Sequence, residues 1–396
     1  MTEQSDGEWG LLEPLAASSA ATGDDAVLAA MVEVERALLL VWGRVRGSDV
    51  SAAAGALRVD RLDRAALLAG SRSDGMPVVA LVRQLRALAE AASPGTGAEL
   101  HIGATSQDIL DTALVLTARR VLADARLRLL AAGESLVAIA TAEAQTLAIA
   151  RTLGQHAEQS TAGVLAAGWL DGVSSAVAAI DATVFPVQLG GPVGTGEELD
   201  RAGGSSATSV QLRAALAAEL GLSDPGRCWH SERSPILTIG NAAAIVAVVL
   251  GRLGRDVGFL SRSEIAEVVL ASSGGSSAMP HKRNPVDAVL LSANGLRVGG
   301  LQAAVHGAAV SQDARPMGEW HAEWSAFRGL LRLAAQSADA AASMLSGLAF
   351  DHAALDRNRA ITPELRRDPA ATVAASARIV SAAVDRFHSL SIKELP

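Results

Sequence analysis

Apolar residues recur at helical spacing along most of the chain. Residues 24–46 carry such a pattern, with Glu33, Glu35 and Arg36 beside the run Leu38 to Val41, and Asp24 or Asp25 is placed to cap it. A second helix is predicted over 77–92, with Pro77 near its start. The Pro-Gly-rich break from Ser93 to Gly97 follows. From Thr105 the pattern predicts two helices of bundle length, separated near Gly133. Residues 153–180 continue in the same helical style, and brief strand character shows only at Val184 to Leu189. Long helices are then expected over 234–261, 286–310 and much of 313–348, with shorter, more charged ones beyond. The expected organisation is an N-terminal helical domain (1–98), a central helical bundle with a loop (99–342) and a short C-terminal helical domain (343–396). The fold class is mainly α, built on a bundle of long helices.

Composition sharpens this picture. Hydrophobic residues reach 49% while aromatic ones are only 3%, with no tyrosine, so the core must be close-packed Ala, Leu and Val. Such apolar helices also favour burial between subunits. The net charge is -8 and no long basic run occurs, which argues against nucleic acid as a main partner. The single cysteine, Cys228, forms no internal disulfide, and the acidic N-terminus does not resemble a signal peptide. The apolar stretch Ile236 to Leu250 contains Asn241 and reads as a core helix, not a membrane span. A cytoplasmic protein with no membrane partner is expected.

Three polar constellations carry candidate chemistry. The loop Gly275-Ser276-Ser277-Ala278-Met279-Pro280-His281-Lys282-Arg283-Asn284-Pro285 offers hydroxyl, cationic and amide groups to an anion, although the same residue types make ordinary turns. His101 to Ala113 holds Thr105, Ser106, Gln107, Asp108 and Asp111, either as a helix cap or as an anion site at a helix N-terminus. Arg151 to Ala157 presents Gln155 and His156. Arg233, in the Cys228 to Arg233 segment, can meet a substrate carboxylate or an acidic side chain. Trp229, Trp320 and Trp324 read as packing residues on composition. The Gly190 to Gly196 stretch lacks the Gly-Lys-Ser/Thr ending of a phosphate loop. His101, His156, His230 and His281 are scattered, so no metal site is expected.

The Gly275 to Pro285 loop resembles the GSSxMPxKxNP signature of the fumarase/aspartase superfamily. The segment around His101 resembles that of adenylosuccinate lyases and muconate cycloisomerases, those around His156, Arg233 and Trp320 resemble the 3-carboxymuconate cycloisomerases, and Leu153 replaces the histidine that follows Arg-Thr in adenylosuccinate lyases and fumarases. The resemblance implies a three-domain helical fold and a homotetramer whose sites draw on several subunits. It implies Ser276 as the base and His156 as a second proton-transfer or orienting group. His101, Thr105, Ser106, Gln107, Gln155, Arg233, Ser277, Met279, Lys282 and Asn284 are the implied substrate contacts. The implied reaction is lactonisation of a small tricarboxylate, 3-carboxy-cis,cis-muconate, without cofactor or metal. A fumarate-releasing lyase, a cycloisomerase for another muconate and a non-enzymatic scaffold are the alternatives.

Overall fold

The computed structural model describes residues 12–15, 20–271, 274–275, 278–279 and 282–391. Four helices come first: α1 (Asp24–Arg46), α2 (Ser51–Ala56), α3 (Arg64–Asp74) and α4 (Val78–Ala92). The long α5 (Ser106–Ala142) leads into a hairpin of β1 (Leu147–Thr152) and β2 (Gln155–Thr161). There follow α6 (Ala162–Asp181), α7 (Glu197–Gly203), α8 (Ser209–Leu220) and α9 (Ser234–Leu260). β3 (Val268–Leu270), α10 (Val286–Ala308), α11 (Glu319–Leu345), β4 (Leu348–Phe350), α12 (His352–Arg359) and α13 (Pro369–Ser391) complete the chain.

The helices α5, α6, α9, α10 and α11 pack together as a bundle. Twelve consecutive residues of α5, Gln107 to Ala118, are buried, so this helix is enclosed on every face over three turns. Small residues permit close approach. A Cβ on Gly251 of α9 would lie 2.8 Å from the Gly295 Cα of α10, and one on Gly254 would lie 2.6 Å from the Ala288 carbonyl oxygen. These glycines therefore serve backbone-to-backbone packing between α9 and α10. By length and composition α6 and α9 could each cross a membrane, yet more than half of each is buried in the bundle.

The bundle has two distinct ends. α5 and α9 start at the same end, where Arg233 pairs with Asp111. At the other end β1 follows α5, and Arg151 on β1 forms a two-pronged ion pair with Glu267 beside β3. The start of α10 lies against the last turns of α9, so the loop before α10 also leaves from that second end. At 1.5 Å per residue, the 37 residues of α5 separate the two ends by about 55 Å.

The structure departs from the sequence expectations in four places. α5 runs unbroken through Gly133, because that glycine makes room for Phe387 of α13 and a Cβ there would lie 2.1 Å from the ring. Residues 153–161 are not helical: Leu153 (φ 51) and Gly154 (φ 79) form a two-residue turn, so Gln155 and His156 stand on a hairpin strand. The strand expected at Val184 to Leu189 is reduced to an isolated bridge between Pro186 and Ser223. Gly23 is the N-cap of α1, and Asp24 and Asp25 lie inside its first turn, facing the positive end of the helix dipole.

Candidate active site

The start of α5 gathers the densest set of polar side chains. Thr105 is its N-cap, in a reciprocal capping box with Asp108. The Asp108 carboxylate accepts from the backbone N–H of Thr105, Gly190 and Gly191, each at 2.9 Å. Its Oδ1 also lies 2.8 Å from His230 Nε2. Burial opposes charge on His230, but the Asp108 carboxylate and the Cys228 sulfur together outweigh it and the imidazole pKa is pushed up to about 10. Asp108 thus ties the helix start to the glycine-rich turn, which here is an anchor and not a phosphate cradle.

One turn further, Asp111 accepts from Arg233 Nη1 at 2.7 Å and from Trp320 Nε1 at 2.9 Å. Arg233 also donates to both oxygens of Glu323, at 3.0 and 2.5 Å, and lies over the Trp229 ring at 4.9 Å. All three charged groups are buried. The expected substrate contact at Arg233 is not what the geometry offers, because its donors are taken up by two carboxylates of the same chain. Gln107 is likewise enclosed: its amide donates to His230 O at 2.8 Å and to Asp111 at 3.2 Å.

Arg315 sits over this helix start, half-buried. Its Nη2 donates to Thr105 Oγ1 at 2.7 Å and its Nε reaches Gln107 Oε1 at 3.4 Å. Ser106, the first residue of α5, is half-buried beside it. His101 approaches from the preceding turn, with Nδ1 2.6 Å from Glu35 Oε1 on α1. A helix N-terminus, an arginine and a histidine held by a carboxylate together direct positive potential to this point.

The remaining expected residues stand at the opposite end. Gln155 is exposed on the hairpin, and His156 Nδ1 lies 3.0 Å from Thr362 Oγ1. The loop is pinched at its base, where Gly274 and Asn284 exchange two backbone hydrogen bonds of 2.9 Å. The Asn284 side chain donates to Gly275 O at 3.0 Å, and Lys282 and Met279 are exposed. Ser276, Ser277 and His281 lie outside the described residues.

Within one chain these two groups cannot meet. The nine residues between Gly274 and Asn284 reach out at most about 17 Å from the loop base, far short of the α5 start. His101, Thr105 and Ser106 therefore share a site with His156 or the serine loop only when copies of the chain combine.

Two residues of this region were given no functional role from the sequence. Glu35 follows Met31 by four residues and precedes Leu38 and Trp42 by three and seven, which places a carboxylate on the buried face of α1. Arg315 precedes the tryptophan segment but carries no periodic signal of its own. Among the described residues, no group of three or more His, Cys, Asp or Glu side chains is arranged to hold a metal ion.

Known proteins match this sequence and fold. The profile of the lyase family matches residues 28–300. Nitrosuccinate lyase of Streptomyces davaonensis is 41% identical over 367 residues, covering 89% of this chain and 76% of that one. 3-Carboxy-cis,cis-muconate cycloisomerase of Pseudomonas aeruginosa is 34% identical over 361 residues, covering 89% and 77%. Among solved structures, the 3-carboxy-cis,cis-muconate lactonizing enzyme of Pseudomonas putida superposes with a TM-score of 0.85 at 26% identity, covering 95% of this chain and 98% of that one. The motif likeness to cycloisomerases therefore does not single out lactonisation, since a nitrosuccinate lyase shares more of the sequence. With a profile match over more than half its length and relatives above 30% identity, the chain belongs to the lyase family of the fumarase/aspartase superfamily.

Proposed function

We propose that this enzyme eliminates nitrite from nitrosuccinate, leaving fumarate, at sites shared between copies in a homotetramer. The observation that carries the reading is the 41% identity, across 89% of the chain, to a nitrosuccinate lyase. The site chemistry agrees with a dianionic substrate. Arg315, the α5 N-terminus and His101 supply positive potential for its carboxylates.

In this reading Ser276 takes a proton from the methylene carbon next to one carboxylate. Charge moves onto that carboxylate, where cationic and N–H donors stabilise it. The electron pair then forms the carbon–carbon double bond as the carbon–nitrogen bond breaks, and nitrite leaves with the bonding pair. Nitrite is a weak base, so its departure requires no general acid. A serine hydroxyl is a poor base in water. Enclosure of the loop over the substrate, with Lys282 nearby, would lower the cost of its alkoxide. His156, delivered from another copy, orients the reacting carboxylate. Thr105 and Ser106 contact substrate, whereas Gln107 and Arg233 position the helix start from beneath.

Lactonisation of 3-carboxy-cis,cis-muconate is the second reading. It is favoured by the TM-score of 0.85 to a lactonizing enzyme and requires a proton to be delivered to carbon instead. The purified enzyme is expected to release fumarate and nitrite in equal amounts from nitrosuccinate, read by ultraviolet absorbance and a colorimetric nitrite assay. Formation of 4-carboxymuconolactone from the muconate, with nitrosuccinate left intact, would reverse the order of the two readings.

A further inference from the structure

His101 is held in a way that simple packing does not require. Its φ of 65 places a non-glycine residue in the left-handed region, a conformation that costs about 1–2 kcal/mol. The backbone on either side is pinned. Arg86 donates to Leu100 O at 3.2 Å, and Trp42 Nε1 donates to Ile102 O at 3.2 Å. The strained residue is thereby fixed with its ring toward Glu35, and Nδ1 lies 2.6 Å from Oε1.

Glu35 is itself unusual. It is fully buried, and its second oxygen, Oε2, is enclosed without a hydrogen-bond partner among the described residues. A buried carboxylate oxygen left unpaired is destabilising. The fold therefore tolerates two local costs, at Glu35 and at His101, that converge on one imidazole. The other ring nitrogen, Nε2, has no hydrogen-bond partner among the described residues, and His101 keeps some exposure beside the α5 start.

We infer that Glu35 is a positioning residue, holding His101 as an imidazolium with its Nε2–H presented to a carboxylate of the substrate. This deepens the proposed elimination and rests on it for the identity of that carboxylate. The charge balance around the ring is consistent with the assignment. Burial disfavours the imidazolium, but Glu35 and, more distantly, Asp108 outweigh both burial and the opposing Arg86, so the pKa lies above its ordinary value. The positive charge is then kept as pH rises past the point where a free histidine loses it, and it disappears only through the raised folded-state pKa.

The test is Glu35→Gln in the full-length, assembled enzyme. The amide keeps the shape and a hydrogen-bond acceptor but removes the charge. Two readouts are taken. The first is the titration of the His101 imidazole by NMR, assigned by the signal missing in His101→Gln. The second is kcat and KM for nitrosuccinate against pH. The expected result is a His101 midpoint lowered by about one pH unit or more, and a KM raised about tenfold above neutral pH with kcat within about twofold. The rise in KM should begin at lower pH than in the parent enzyme.

An unshifted His101 midpoint, or a drop in melting temperature with KM unchanged at every pH, would overturn the assignment. Should Glu35→Gln fail to assemble, the parent enzyme alone decides: a His101 midpoint at the ordinary histidine value refutes the pairing, and a raised one supports it. The imidazole titration does not depend on turnover. A chain that ignores nitrosuccinate but shows the shifted midpoint would refute the proposed reaction and leave the Glu35 pairing standing.

Discussion

Replacing Ser276 with alanine is expected to lower kcat for nitrosuccinate by at least about a thousandfold, equivalent to about 4 kcal/mol of lost barrier reduction. The size follows from the chemistry. A proton next to a carboxylate is weakly acidic, and its removal is the step that Ser276 assists in the proposed elimination. With alanine at position 276 no other hydroxyl takes the same place, unless Ser277 substitutes. The double replacement of both serines is therefore the control. The substrate carboxylates still meet Arg315, His101 and the start of α5, so KM should move by less than about threefold. Steady-state kinetics on both variants checks this. A Ser276→Ala enzyme with unchanged kcat assigns the base elsewhere.

The largest expected effect on stability is at Arg233. This guanidinium is buried between Asp111 and Glu323, with the Trp229 ring on one face. Arg233→Ala leaves two enclosed carboxylates without their cation, and breaking a buried pair in this way costs about 3–5 kcal/mol. Chemical denaturation of the two proteins measures it. The pH dependence has a defined sign. Burial already raises the Glu323 pKa, and Arg233 is the group that opposes the rise. Without Arg233 the folded-state pKa rises further above that of the unfolded chain. Native protein then binds more protons than unfolded, and the variant gains stability as pH falls through that raised pKa. The deficit relative to the parent should therefore be larger at pH 8 than at pH 5. Arg233→Met, which leaves the same two carboxylates, should show the same trend and separate lost charge from lost volume.

Much of the fold was legible because long helices announce themselves by period. The helices over 24–46, 234–261 and 286–310 lie within two residues of those observed. What failed did so for tertiary reasons. Gly133 looked like a break, since glycine weakens an isolated helix, but in α5 it is the seat of a ring from α13. The hairpin at Leu153 and Gly154 was hidden because its strands lack clean alternation and are short, and because Leu153 is an uncommon residue for a left-handed turn position.

The candidate site divides the same way. The helix cap at Thr105 and Asp108 could be read from spacing alone. Arg233 could not be assigned from sequence, because whether a guanidinium meets substrate or Glu323 depends on which helix lies ninety residues further along. Ser276 was identified by the signature of its loop and lies outside the described residues, so its role rests on the motif and on the variant above. The separation of His101 from His156 is invisible in sequence, where they are only 55 positions apart. It emerges because one unbroken helix fills most of that interval.

That separation makes the shared site the central claim, and mixing two deficient variants tests it most directly. Ser276→Ala and His101→Ala enzymes are purified separately, combined in equal amounts, unfolded and refolded together, and assayed with nitrosuccinate well below the parent KM, where both are deficient. If the loop and the α5 start come from different copies, about a quarter of the sites receive neither substitution, and activity returns toward about a quarter of the parent value. If one chain supplies both groups, every site carries one of the two defects. The mixture then shows no more activity than the mean of its two parts, and the shared-site account is wrong.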